Sequence, residues 1–295
     1  MKLLITGATG FIGQHLVRRL LERGDTVSIL VRATAQTENV PKEVSIITIP
    51  PTQTELEGIF KKEKFDGVIH LASLYLMSHA PTDIKALIDS NVKLGTLVID
   101  AAANANIGFF INTGSFAQHY NSLPYSPTNL YSATKQAFQD IVQYYAEATD
   151  LTVLTLELFN TFGPGDTRAK IFNLWMNVIK EGKTLDMSPG EQIIDISYID
   201  DVIDAYLLAI DHATSTDARS LTGRSYTIMS PERMPLKELS RVFSEEVGSE
   251  LKINFGAMPY REHETMIPME NGEILPGWSP KVTLREGIRR TFLSN

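Results

Sequence analysis

Not one cysteine occurs in this chain of 295 residues. That absence excludes disulfides, thiol catalysis and any cysteine-ligated metal. Long apolar runs are missing too, since nothing approaches the ~18 consecutive apolar residues of a membrane span. The opening MKLLITG has one lysine, a short apolar run and then a glycine. It lacks the length and cleavage site of a signal peptide and reads as a first strand. Cations are in deficit, with 27 Lys and Arg against 35 Asp and Glu, a formal net charge of −8. Nucleic-acid binding leans on cations that neutralise phosphates, so this balance argues against such a partner. A cytoplasmic protein with neither nucleic-acid nor membrane partners is expected. His79, His119 and His263 show no metal-ligand spacing, so no metal site is expected either.

What is present is ordinary globular composition, 43% hydrophobic and 21% charged, in a length that suits one large α/β domain bearing a smaller lobe. Apolar, β-branched runs predict strands at residues 2–8, 26–32, 44–49, 66–73, 108–115 and 151–160. Helical stripes lie between several of them, at 11–24, 53–62, 84–104 and 127–149. Strands buried on both faces and alternating with helices imply a doubly wound parallel sheet. After GPGD at 163–166 strands become sparse and prolines frequent. Residues 1–162 are therefore expected to form the first domain, with returns near 193–210 and 225–230. Residues 163–295 are expected to form mainly a smaller α+β substrate lobe.

The stretch TGATGFIG spaces Gly7, Gly10 and Gly13 three apart, directly after the first strand and at the start of the first helix. Strand, glycine turn and helix N-terminus together make an anion site. Unpaired N–H groups and the helix dipole face the ligand, and missing Cβ atoms let a pyrophosphate approach the backbone. A dinucleotide fits this pattern, and the fold class becomes a Rossmann-like one.

The GxxGxxG spacing resembles the extended short-chain dehydrogenases/reductases, in particular the NAD-dependent epimerase/dehydratase family. Further motifs carry the same resemblance: HLAS at 70–73, Asn91 on a long helix, NTGS ending a strand at 112–115, YSATK at 131–135, LFNTFGPGD at 158–166 and GWSP at 277–280. The resemblance implies a dinucleotide held by Gly7, Gly10, Phe11, Ile12, Gly13, Arg32, Leu71, Ala72, Ser73, Asn91, Tyr131 and Lys135. It implies Ser115, Tyr131 and Lys135 as the catalytic set. Tyr131 and Lys135 are four apart on a helix, so both side chains share one face. A free phenol has a pKa of about 10 and is a poor base at neutrality. A nearby ammonium and a positive nicotinamide would favour the phenolate, and a drop of roughly 3 pH units takes about 4 kcal/mol. The implied chemistry is hydride transfer at a carbon–oxygen centre, with Tyr131 handling the oxygen's proton.

NAD-binding relatives usually end the second strand near an acidic residue that accepts from the ribose 2′-OH. Here Arg32 stands in that region. A guanidinium suits a 2′-phosphate, so NADP(H) is the preferred cofactor. NAD(H) remains the alternative if Arg32 only stacks on adenine. Phe116 and Ala117 follow Ser115 where dehydratases carry an acidic pair, which argues against elimination. FINTGSF, GEQIIDISYIDDV, FGAMPYREHE and GWSP resemble the reductases of CDP-4-keto-3,6-dideoxyhexoses, which serve O-antigen sugar synthesis. The leading expectation is an NADP(H)-dependent 4-ketoreductase of a 6-deoxy or 3,6-dideoxy nucleotide sugar. A 4-epimerase with tightly bound NAD and a non-catalytic dinucleotide sensor are the alternatives. Asn160 and Arg261, with Ser115, match substrate-contacting positions. The family's frequent Arg before Asp195 is Ile194 here, and Glu157 stands where many relatives have Arg. That pattern leaves a smaller carbonyl substrate open. A homodimer through helices 84–104 and 127–149 follows from the resemblance.

Overall fold

The computed structural model describes residues 1–293. A parallel sheet of seven strands runs in the order β11-β6-β5-β4-β1-β2-β3. Its strands are β1 (Lys2–Thr6), β2 (Thr26–Val31), β3 (Ser45–Thr48), β4 (Gly67–His70), β5 (Phe109–Ser115), β6 (Thr152–Leu158) and β11 (Arg224–Ile228). Alternation along each strand feeds two cores, one per face. Leu3 and Ile5 of β1, and Phe109 and Ile111 of β5, point into one cluster. Leu4, Phe110 and Val153 point into the other. Helices α1 (Phe11–Glu22) and α7 (Ile199–Ala213) cover the first face, and α2 (Gln53–Glu63), α4 (Leu94–Asn104) and α5 (Leu130–Ala148) cover the second. The expected α/β, doubly wound, Rossmann-like sheet is thus present. Its strand order reverses between β1 and β4, where such sheets bind ligands at the carboxyl ends of the strands.

Past Phe162 the chain builds smaller units: β7 (Asn160–Phe162) pairs with β10 (Ile196–Tyr198), β9 (Ile193–Ile194) with β12 (Met234–Pro235), and β8 (Leu185–Met187) with β13 (Ile253–Phe255). Helices α6 (Ile171–Glu181), α9 (Leu236–Val247) and α10 (Leu284–Phe292) join through an aromatic cluster. In it Phe172 stacks on Phe243 at 5.0 Å, with Trp175 and Phe292 against them. Trp175 is fully buried, and Trp278 donates from Nε1 to the Asp201 carbonyl oxygen at 2.9 Å. Both tryptophans are packing anchors. Chain segments also return to the large sheet, as β11 beside β6 and α7 against α1.

Three boundaries differ from the sequence expectation. The strand expected at 151–160 breaks at Phe159, and β7 leaves the large sheet to pair with β10. The helix expected at 84–104 is α3 (Ile84–Ile88), a π turn over Asp89–Lys93 and then α4. The helix expected from residue 127 starts instead at Leu130 with Asn129 as N-cap in a capping box with Ser132. Ser126 is unavailable as a cap because its backbone pairs with Gln118 and Tyr120 of the preceding loop.

Candidate active site

The glycine turn closes on itself and leaves its outer side open. Gly7 has φ +71°, and a Cβ there would stand 2.6 Å from the Ala72 nitrogen. A Cβ on Gly13 would stand 2.3 Å from the Gly7 carbonyl oxygen and 2.6 Å from the Ala8 Cα. Only glycine permits these backbone approaches. Gly10 is the N-cap of α1, offers no side-chain cap, and no acidic residue lies in the first turn. The first N–H groups of the helix, at Phe11, Ile12 and Gly13, thus lack intrahelical partners. The side chains of Phe11 and Ile12 turn away from this role. Phe11 lies under the Arg168 guanidinium at 4.5 Å and Ile12 packs on the core.

A cavity of about 620 Å³ opens from this turn. Gly7, Gly10, Leu71, Ala72, Ser73 and Arg32, all singled out from sequence, line it. So does Arg18 from α1, which the sequence reading missed. No carboxylate lines the cavity among the described residues. Volume, glycine cradle and open N–H groups fit a dinucleotide, and the two guanidiniums fit its anionic form. Behind it, Thr6 Oγ1 meets His70 Nδ1 at 2.8 Å and accepts from the Ala72 N–H at 3.2 Å. Burial, with the Lys135 charge, holds His70 at about 3, so the ring is neutral.

Asn91 sits in the π turn and is buried. Its Oδ1 accepts from the Leu74 N–H at 2.6 Å, and its Nδ2 donates to the Leu74 carbonyl at 3.0 Å and to Thr134 Oγ1 at 2.9 Å. Both amide donors are engaged within the protein. Asn91 thereby ties the 71–74 segment to the helix of Tyr131 and Lys135. Single π turns recur at functional sites because they re-aim one side chain.

Ser115 ends β5 and Tyr131 and Lys135 lie in the first turns of α5. Tyr131 faces the hydroxyls of Ser73 and Ser115, and its ring meets Tyr75 edge-on at 4.9 Å. Burial raises the Tyr131 pKa above the ordinary phenol value, and the two serine hydroxyls counter it only in part. Burial, rather than the Lys135 charge, sets the direction of this phenol. Lys135 is 4% exposed, and burial lowers its ammonium from 10.5 to about 8. The site therefore holds a neutral phenol beside a largely charged lysine at neutrality. A phenol in that state can donate a proton.

From the other side of the cleft, Lys170 places Nζ 4.0 Å over the Tyr75 ring, and the charge of Arg261 also acts on Tyr75. Tyr75 and Lys170 were not foreseen. Asn160 donates from Nδ2 to the Asp195 carbonyl oxygen at 3.0 Å. Ile194 faces Met234 in the β9–β12 ladder, and the residue before it, Arg233, donates from Nε to Asp195 Oδ2 at 2.7 Å. Its guanidinium lies 5.1 Å over Phe159, which itself stacks on Phe116 at 5.1 Å. The Arg233 cation thus reaches Asp195 from beside β12. Among the described residues no group of three or more His, Asp or Glu could hold a metal ion. No described helix is long and apolar enough to cross a membrane.

Comparison with known proteins gives this geometry its context. The model of the NAD dependent epimerase/dehydratase family matches residues 3–227. A CDP-abequose synthase of Salmonella muenchen is 28% identical over 296 residues, covering 98% of this chain and 96% of that protein. A UDP-glucose 4-epimerase of Lactobacillus helveticus is 26% identical over 74% of each chain. Among solved structures, the UDP-glucuronic acid 4-epimerase of Bacillus cereus in complex with UDP-glucuronic acid and NAD superposes with a TM-score of 0.85. It is 21% identical and the match covers 99% of this chain and 98% of that one.

Proposed function

Because the chain belongs to the NAD dependent epimerase/dehydratase family, we propose a function within it: NADP(H)-dependent reduction of a 4-keto nucleotide-activated sugar of the 6-deoxy or 3,6-dideoxy kind. The observation that carries this reading is the lining of the dinucleotide cavity, with Arg18 and Arg32 and no carboxylate. A guanidinium pair selects a 2′-phosphate by charge-assisted hydrogen bonds. A phosphorylated cofactor that exchanges each turnover suits a reductase better than an epimerase. The name of the Salmonella relative, CDP-abequose synthase, supports the same substrate class.

A bound nicotinamide dinucleotide supplies the hydride. Tyr131 gives its phenolic proton to the carbonyl oxygen, and Ser115 hydrogen-bonds that oxygen and orients it. Lys135, still charged at neutral pH with its pKa at about 8, stabilises the phenolate left behind. Phe116, stacked on Phe159 where dehydratases place an acid, offers no group for elimination. Lys170 and Arg261 meet the substrate's diphosphate from the lobe side, with Asn160 nearby. The division into a cofactor domain, 1–162 with its returns, and a mainly substrate-binding remainder follows from these roles. Exposed Ile84, Ile88 and Tyr144 on the outer helices support a homodimer, to be checked by sedimentation.

The test is NADPH oxidation on adding 4-keto-6-deoxy sugars linked to CDP, dTDP, UDP or GDP. Oxidation with one of them supports the reading. Interconversion of nucleotide hexose 4-epimers without added cofactor, and no oxidation with any keto sugar, refutes it.

A further inference from the structure

A buried pair that the chemistry above does not use joins the loop between β5 and α5 to strand β6. His119 is 8% exposed, and Glu157 on β6 is 5% exposed. They face each other with Nε2 and Oε2 3.4 Å apart. Glu157 has room because the facing residue of β5 is glycine, as a Cβ on Gly114 would stand 2.8 Å from Glu157 Cγ. The other ring nitrogen of His119, Nδ1, lies 2.8 Å from the Pro124 carbonyl oxygen and 3.3 Å from that of Leu123. A carbonyl oxygen can only accept, so Nδ1 carries a proton. Nε2 faces the Glu157 carboxyl group, and a negative charge there favours a second proton and with it the imidazolium. At 3.4 Å that second contact is chiefly Coulombic, and Nε2 has no well-formed hydrogen bond. Burial works against the ring's charge. Glu157, facing Nε2, and the carbonyls of Pro124 and Leu123 outweigh burial and raise the His119 pKa above its ordinary value. Glu157 is the charged group that acts on this ring from the neighbouring strand, and its own loop offers it only carbonyl oxygens.

The pair sits under a junction. The Ser115 N–H donates to Gln118 Oε1 at 2.9 Å, which fastens the end of the catalytic strand to this loop. Just beyond His119, Asn121 Oδ1 accepts from the Met266 N–H at 3.3 Å, and Ser122 Oγ accepts from the Glu270 N–H at 3.1 Å. Tyr120 packs on the His263 ring at 5.2 Å. Asn121 and Ser122 both have positive φ, 50° and 62°. Non-glycine residues hold that conformation only where surrounding contacts impose it. The segment docked in this way, 263–270, directly follows Arg261.

We propose that the His119–Glu157 ion pair is a positioning device for substrate binding: it holds the 116–126 loop in the shape that docks segment 263–270, and so fixes Arg261 at the cleft. This rests on the substrate-binding role proposed above for Arg261. Removing the proton leaves Glu157 buried without a counter-charge, and breaking such a pair one-sidedly is strongly unfavourable. The loop then repacks and the segment lets go. A histidine whose pKa is raised on folding contributes fully below its unfolded pKa, and the contribution is lost as pH rises through the folded one. Docking therefore weakens on the alkaline side.

Hydrogen exchange of the full chain between about pH 6 and about pH 9, corrected for intrinsic rates, tests this. The Met266 and Glu270 amides should exchange faster by up to roughly tenfold per pH unit beyond the His119 titration, the limit for one required proton. Amides in the middle of α5 should not follow. Glu157→Gln should move the onset lower by about one pH unit or more, whereas His263→Gln should leave it in place. Exchange that ignores pH, or an onset unchanged by Glu157→Gln, overturns the proposal. Should Glu157→Gln not fold, ring-proton titration of the wild type decides, since a His119 that titrates below its ordinary value also overturns it. In turnover, the KM for the keto sugar should rise over the same interval while the NADPH Kd stays constant. Exchange that follows pH without turnover of any keto sugar would sink the functional reading and leave the device standing. Turnover with exchange indifferent to pH would do the reverse.

Discussion

Replacing Lys135 by Met should remove the chemistry and, at neutral pH, make the cofactor-free protein more stable. Lys135 is 4% exposed, and burial alone accounts for the fall of its pKa from 10.5 to about 8. No carboxylate offsets the charge. At about 1.4 kcal/mol per pH unit, that gap corresponds to about 3 kcal/mol spent on carrying an ammonium into the site. Methionine keeps the length and the apolar stem of lysine and fills the same space. Unfolding free energy at pH 7 should therefore rise by up to about 3 kcal/mol in Lys135→Met. The sign with pH is fixed by linkage. Between about 8 and 10.5 the folded wild type binds fewer protons than the unfolded chain, so its stability rises with pH there. The advantage of the variant should be constant below about pH 8 and vanish by about pH 10.5. Urea unfolding at several pH values, with an unchanged m value, reads this directly. A variant less stable than wild type at pH 7, or a difference that does not shrink with pH, would refute the reasoning.

Other expectations follow from the same geometry. Tyr131→Phe should lower turnover by about 100- to 10,000-fold, the usual worth of a general acid, with NADPH binding by fluorescence intact. Arg32→Ser should weaken NADPH by about ten- to a hundredfold, the worth of a charge-assisted contact, and leave NADH nearly unchanged in the same titration. Arg18→Ser should act in the same direction, which would not occur if Arg18 were merely a solvated helix residue. Gly13→Ala should abolish dinucleotide binding, because the added Cβ would stand 2.3 Å and 2.6 Å from backbone atoms of Gly7 and Ala8 that cannot yield.

Some of this molecule was legible in its sequence, for identifiable reasons. The glycine turn could be read because its requirement is steric and local, and three glycines after an apolar run have few other uses. That Tyr131 and Lys135 share one face of α5 was legible because helical spacing places residues four apart on one face whatever the tertiary fold. The sheet was legible because strands buried on both faces need continuous apolar runs. What stayed hidden depends on contacts between distant segments. Arg18 reaches the cavity only because α1 crosses the end of β2. Tyr75 and Lys170 meet across the cleft from residues nearly a hundred positions apart. The start of α5 was misplaced because Ser126, a good cap by type, is already engaged with Gln118 and Tyr120. The pairing at the end of α9 was equally hidden. There Glu246 pairs with Arg285 at 2.5 Å and Arg289 at 2.8 Å of α10. The meeting of Arg233 with Asp195 was invisible for the same reason: only the β9–β12 ladder brings them together.

The most direct test of the central claim is to denature freshly purified protein and identify any dinucleotide released, with its stoichiometry. The account predicts a largely empty protein that binds NADPH much more tightly than NADH. Near-stoichiometric NAD would contradict it, and would turn the cavity of Arg18 and Arg32 into the binding site of an epimerase.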